Sequence, residues 1–236
     1  VPPLVSAIMR INEGWNHYAP ETIKAFLRQD YPNKELIIID QNERGKEFIK
    51  NMGLTYHPEI KHHYIDVPKG VIEKETRRQT LARIAGYRKI GGMKAKGKYL
   101  ISWDDDDINF PDRITESVNS IECGFDCCGI TELLMEYLDQ YYLLNMGNYF
   151  YRPEYTFIYN KEVFDNLHNR PSWEDMQQVT KGLNFGSITN GLIFVFRIHE
   201  GNASTKENLI KILKGVGPIK GKLKNIVMNK LENYYG

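Results

Sequence analysis

Short unbroken apolar runs alternate with stretches whose apolar residues recur at helical spacing. Val5 to Met9 is such a run and predicts a buried strand. "RINEGWNHY" then reads as a loop. Pro20 suits a first helical position, and "ETIKAFLRQ" follows with Ile23, Phe26 and Leu27 on one face. "DYPNK" is a turn, and "ELIIID" is a second buried strand ending at Asp40. A polar loop leads to a short helix with Phe48, Ile49 and Met52 on its apolar face. Val71 to Lys96 reads as one long helix, with Gly91-Gly92 as the place for a break. Leu81, Ile84, Ala85 and Arg88 lie near one stripe of it. "KYLISW" is the next strand, and Pro111 opens a helix carrying Ile114, Val118 and Ile121.

Alternation of strand and helix predicts an α/β fold: a mainly parallel central sheet with helices on both faces. In such sheets ligands bind outside the carboxyl ends of the strands. Asp40 falls there, and so does the run Asp104, Asp105, Asp106, Asp107. The second half changes character. "FDCCGI" is a buried strand. "TELLMEYLDQYYLLNM" gives two strands with Asp139-Gln140 near the turn, and "YTFIYNKEVFDNL" a strand and a short helix. "SWEDMQQVTKGL" is a helix entered through Ser172, and "GLIFVFRIH" a last strand.

The chain has 236 residues, 42% of them hydrophobic, which suits one sizeable domain with a small appendage. Lys plus Arg number 31 against 30 Asp plus Glu, so no global charge favours nucleic acid and any electrostatic function is local. Cys123, Cys127 and Cys128 are odd in number and cramped, which fits neither a disulfide framework nor a zinc site. No apolar run approaches a membrane span, and "VPPLVSAIM" lacks a basic leader, so a cytoplasmic protein is expected.

Four adjacent carboxylates repel one another. A solvated turn is the ordinary explanation of such a run. An EF-hand loop is excluded, because Ile108 and Asn109 break its register. The remaining reading is an Asp-x-Asp pair at a strand end, able to hold a hard divalent ion against a diphosphate.

Four segments in order resemble family 2 glycosyltransferases. "PLVSAIMRIN" with "ETIKAFLRQDYPNKELIIIDQ" resembles the family's opening. "AKGKYLISWDDDDINFPDRI" resembles its A-x-G-x-Y-I-x-x-x-D-x-D-D segment with the following P-x-R. "WEDM" resembles its E-D motif, and "FRIHEGNAS" its C-terminal R-x-H-x-x-x-x-S segment. The resemblance runs from Leu4 to Ser204. It implies a GT-A fold, an inverting transferase, a nucleotide-diphosphate sugar donor and Mn²⁺ or Mg²⁺. By position it implies that Asp40 contacts the nucleobase, with Arg10, Ile11, Asn12 and Gln41 beside it. Arg78 would stand near the nucleotide, with Arg83 and Arg88 as further candidates. Asp104 and Asp105 would meet the donor, Asp104 and Asp106 the metal, and His199 the metal or a phosphate. Asp175 would be the catalytic base, with Glu174 beside it. Arg10 stands where the family usually has Pro, Gln41 where it often has Asp, and Tyr87-Arg88-Lys89 where it has A-R-N.

These assignments suit the chemistry. A metal ion stabilises the charge developing on a departing diphosphate. A carboxylate can take the proton of the attacking hydroxyl. Of the four acids, Asp107 is expected to serve loop or helix contacts instead. Trp103 and Trp173 are expected to pack, with Trp173 also able to stack on an acceptor sugar. The expected division is 1–110 for the donor, 111–204 for a carbohydrate or lipid-linked acceptor, and 205–236 as a Lys-rich helical tail. That tail would pack on the domain or contact an anionic membrane. The rivals are a sugar nucleotidyltransferase, for which "RINEGWNHY" is a poor phosphate loop, and a degenerate GT-A domain that binds without catalysis.

Overall fold

The computed structural model describes residues 1–11, 17–40, 44–65, 77–146, 156–168, 182–199 and 206–235. In chain order it contains β1 (Val5–Ile11), α1 (Ala19–Leu27), β2 (Lys34–Asp40), α2 (Arg44–Asn51), β3 (Ile60–Tyr64), α3 (Arg77–Lys94), β4 (Tyr99–Asp104) and β5 (Ile108–Asn109). Then come α4 (Arg113–Ile121), β6 (Cys127–Ile130), β7 (Glu132–Tyr137), β8 (Gln140–Asn145), β9 (Ile158–Asn160), α5 (Lys161–His168) and β10 (Phe185–Ile188). A 3₁₀ turn (Gly191–Ile193), β11 (Phe194–Arg197), α6 (Lys206–Val216) and α7 (Gly221–Tyr235) complete the chain.

The expected mainly parallel sheet is present, with seven strands in the order β10-β6-β9-β4-β1-β2-β3. β1 pairs parallel with both β2 and β4, β2 with β3, and β6 with β10. β9 alone runs against its neighbours β4 and β6. β2 is buried along its whole length and β1 almost so, which is why both read as continuous apolar runs rather than alternating ones. β3 and β10 were not expected. "IKHHY" and "FGSI" are short and mixed, and pairing to an established strand decides them more than their own pattern does.

A second sheet of four strands has the order β5-β11-β7-β8. The β7–β8 hairpin turns at Leu138 and Asp139, whose φ values of 50° and 57° are both left-handed. Tyr137 pairs with Gln140, so the turn lies one residue before the expected Asp139-Gln140. The last strand is also shorter than "GLIFVFRIH", because its first residues form the 3₁₀ turn.

α3 continues through Gly91 and Gly92 without the break that the pair suggested. A Cβ on Gly91 would collide with the side chain of Ile8 on β1, and one on Gly92 with the ring of Phe164 on α5. The two glycines let the helix lie close against sheet and helix. Residues 71–76, the expected start of that helix, and 172–183, expected as another, fall largely outside the described residues. The tail packs on the domain: Leu209 and Leu213 of α6 and Val227, Leu231 and Tyr234 of α7 join the same core as β1 and β4.

Candidate active site

β1, β2 and β4 end side by side. Ile11 is level with Asp40, and Arg10 with Asp104. Asp40 is fully buried; its Oδ2 accepts the Lys46 N–H at 3.3 Å and lies 3.0 Å from His62 Nε2. A Cβ on Gly45 would stand 2.8 Å from Asp40 Oδ2 and 2.7 Å from Ile11 Cδ1, so only glycine lets α2 close over this carboxylate. His62 comes from the unexpected β3 and was not foreseen. Arg10 is partly buried, and its Nη1 finds no hydrogen-bond partner among the described residues. Asn12 and Gln41 lie outside the described residues, as do Glu174, Asp175 and Trp173. Arg78 and Arg83 are on α3, with their side chains outside the described part.

The acidic run turns directly after β4. Asp104, Asp106 and Asp107 each bring one carboxylate oxygen to within 4.8 Å of the others, the only such group of three His, Cys, Asp or Glu residues among those described. Asp107 therefore belongs to the cluster, contrary to expectation. It also makes a long-range contact, its Oδ1 accepting the Arg197 N–H at 3.0 Å. Its Oδ2 is buried and accepts no hydrogen bond from the described residues. Burial, then the charges of Asp106 and Asp104, hold the Asp107 carboxyl well above its ordinary range. Asp105 is buried outside the cluster, and its carbonyl accepts the Thr22 hydroxyl at 3.2 Å.

Cations and a histidine surround this turn. Arg88 Nη2 lies 3.4 Å from Asp104 Oδ1, a contact reached although the surrounding Tyr87-Arg88-Lys89 departs from the family pattern. His199 Nε2 lies 2.9 Å from Asp106 Oδ2. Arg113, the Arg of "FPDRI", is fully buried behind the turn. Its guanidinium donates to the Ser102 carbonyl at 3.0 Å and to Asn109 Oδ1, and it stacks near the rings of Trp103 and Phe194. Burial pulls its pKa down to about 10 against the opposing pull of Asp107 and Asp104. Trp103 packs as expected, fully buried and edge-on to Phe26. Arg197, the Arg of "FRIH", also faces this turn, although the motif alone implies no role for it. Tyr18, at the start of α1, was not singled out; its ring lies 4.6 Å from the Arg197 guanidinium carbon.

Three carboxylate oxygens brought together, one from each of Asp104, Asp106 and Asp107, fit a Mg²⁺- or Mn²⁺-type ion, which uses one or two carboxylates plus phosphate oxygens and water. The donor set lacks the nitrogen and sulfur ligands that a structural zinc site prefers.

Comparison with known proteins gives the same picture. The chain resembles an uncharacterized glycosyltransferase of Rickettsia felis, 28% identical over 117 residues, covering 50% of this chain and 17% of that protein. Among solved structures it resembles residues 1–349 of S. aureus TarS in complex with UDP-GlcNAc, with a TM-score of 0.60 at 15% identity over 98% of this chain and 72% of that one. It also resembles the mannosyltransferase PcManGT of Pyrobaculum calidifontis in complex with GDP-Man and Mn²⁺, with a TM-score of 0.57 at 11% identity over 86% and 59%. At these identities the likeness shows the GT-A fold. A family model described as Glycosyl transferase family 2 matches residues 8–191. The chain belongs to glycosyltransferase family 2.

Proposed function

We propose that the protein is a metal-dependent, inverting glycosyltransferase that moves a sugar from a nucleotide-diphosphate donor to a hydroxyl acceptor. The observation that carries this reading is the convergence of the Asp104, Asp106 and Asp107 carboxylates at the end of β4, beside the buried Asp40 at the end of β2. The nucleotide sugars named with the two similar structures, UDP-GlcNAc and GDP-Man, support a donor of that class.

Asp40, Arg10, Ile11, Asn12 and Gln41 would receive the nucleoside, and Arg78, Arg83 and Asp105 would line its path. Asp104 and Asp106 would hold Mn²⁺ or Mg²⁺, which when bound stabilises the charge of the departing diphosphate. His199 orients the Asp106 carboxylate and Arg88 the Asp104 carboxylate. Asp175, with Glu174 beside it, would take the acceptor proton. Attack opposite the departing group inverts the anomeric centre. The acceptor is a carbohydrate or a lipid-linked glycan, met in the cytoplasm. Exposed Lys211, Lys214, Lys220, Lys222 and Lys224 give the tail a basic surface for anionic lipid headgroups.

The test is a thermal-shift panel of UDP, GDP, dTDP and CDP, each with and without Mn²⁺, on wild type and Asp106→Ala. A rise in Tm with one nucleotide that needs both the metal and Asp106 is expected. No rise with any nucleotide would overturn the donor reading. Co-sedimentation with vesicles containing phosphatidylserine checks the tail: binding should fall on reversing Lys220, Lys222 and Lys224 to Glu. No binding by wild type would end the membrane proposal.

A further inference from the structure

β11 and the residues just after it grip the acidic turn at three points. The Arg197 N–H reaches Asp107 Oδ1 at 3.0 Å, its Nη1 lies 3.4 Å from the Asp106 carbonyl, and His199 Nε2 is 2.9 Å from Asp106 Oδ2. Two of the three belong to Arg197: its backbone N–H holds the Asp107 carboxylate and its guanidinium holds the backbone of the turn at the Asp106 carbonyl.

Arg197 is in turn held by elements remote in sequence. Its Nη2 donates to Glu21 Oε1 of α1 at 2.9 Å and to the Tyr235 hydroxyl of α7 at 2.6 Å. Its Nε lies 3.5 Å from Glu136 Oε2 of β7, and the Tyr18 ring covers the guanidinium. Burial opposes the charge, but Glu21, Tyr235 and Glu136 outweigh it and keep the group protonated. A guanidinium is planar and rigid, so fixing one edge fixes the other. Tyr235 differs from the rest of this cage. It ends the last helix, and 56% of its surface is exposed, so little core packing depends on its ring.

We infer that Tyr235 and Arg197 are positioning residues: the C-terminal helix sets the geometry of the Asp104–Asp107 turn through the Tyr235 hydroxyl and the Arg197 guanidinium. The inference rests on the proposed metal-and-donor role of that turn only for its functional consequence. The mechanical link stands on the contacts themselves. Through it, whatever binds or displaces the end of α7 changes the metal site at the far side of the sheet edge.

Two measurements on the whole chain test it. Hydrogen–deuterium exchange of metal-free protein should be faster across 104–109 in Tyr235→Phe and Arg197→Lys than in wild type, with β2 unchanged. Mn²⁺ titration followed by electron paramagnetic resonance should show binding weakened about fivefold in Tyr235→Phe and further in Arg197→Lys. The metal-free Tm of Tyr235→Phe should stay at the wild-type value. Unchanged exchange across 104–109 in both variants would overturn the inference, as would Mn²⁺ affinity that falls only in step with Tm. If wild type itself takes no Mn²⁺, the metal reading fails and the exchange result alone decides the positioning role.

Discussion

Two carboxylate sites lie on one edge of the sheet, and they are built differently. At the end of β2, Asp40 is sealed by near neighbours: the Lys46 amide six residues on, Gly45 packed against it, and His62 on the next strand. Its partners are in place without any ligand. At the end of β4, three carboxylates crowd together, and one buried oxygen accepts nothing from the described residues. Their restraints come from Arg88, on the helix before β4, and from Arg113, Arg197 and His199 after the turn. The first site is held by local partners. The second crowds carboxylates whose burial and mutual repulsion push the Asp107 pKa up, a cost that a bound cation would relieve.

Breaking the second site from behind should give the largest effect. Arg113→Met removes the buried cation facing Asp107 and Asp104 and leaves the Ser102 carbonyl and Asn109 without their donor. Losing one partner of a buried charge set costs about 3–5 kcal/mol, to be read from urea unfolding. Asp40→Ala should cost less, about 1 kcal/mol, because the part-buried Lys46 N–H and His62 ring nitrogen lose their partner but can still reach water. The smallest effect carries the opposite sign. Asp107→Asn keeps an oxygen for the Arg197 N–H while removing a charge, so in EDTA it should raise Tm by about 2–4 °C near neutral pH.

The pH dependence follows from the raised Asp107 pKa. The native state holds that proton more tightly than the unfolded chain does, so the charge begins to cost stability as pH rises above the ordinary value of 3.8 and through the native one. The Tm difference between Asp107→Asn and wild type should vanish at low pH and grow with pH. A difference that is flat with pH would place the cost elsewhere, and Mn²⁺ should shrink it by stabilising wild type.

What the sequence revealed divides along the same line. β1, β2 and β4 were legible because strands buried on both faces leave unbroken apolar runs, and Asp40 and the acidic run were legible because they stop those runs. The partners of these carboxylates were not. His62 sits in a short mixed strand, and Arg197 meets Asp107 from 90 residues away, a contact that no local periodicity encodes. Arg113 and Arg197 stood inside motifs quoted for resemblance, yet a motif does not say which way its arginine points. Gly91-Gly92 misled for a related reason: glycine signals either a break or a close approach, and only Ile8 and Phe164, far along the chain, decide which.

The reversed strand β9 has a consequence for how such enzymes diversify. Because β9 runs against β4, its first residue Ile158 is level with Ile101 and its last, Asn160, with Tyr99. The preceding Phe157 carbonyl accepts the Ser102 N–H, two residues short of Asp104. The chain therefore enters β9 at the carboxyl edge of β4 and leaves it at the opposite edge. A parallel strand in that slot would present its exit there instead. Evolution can thus lengthen, shorten or exchange the segment leading into β9 as a cassette. β9 itself stays anchored in the sheet by its pairing with β4, so sequence change ahead of it leaves the carboxylates that β4 delivers in place.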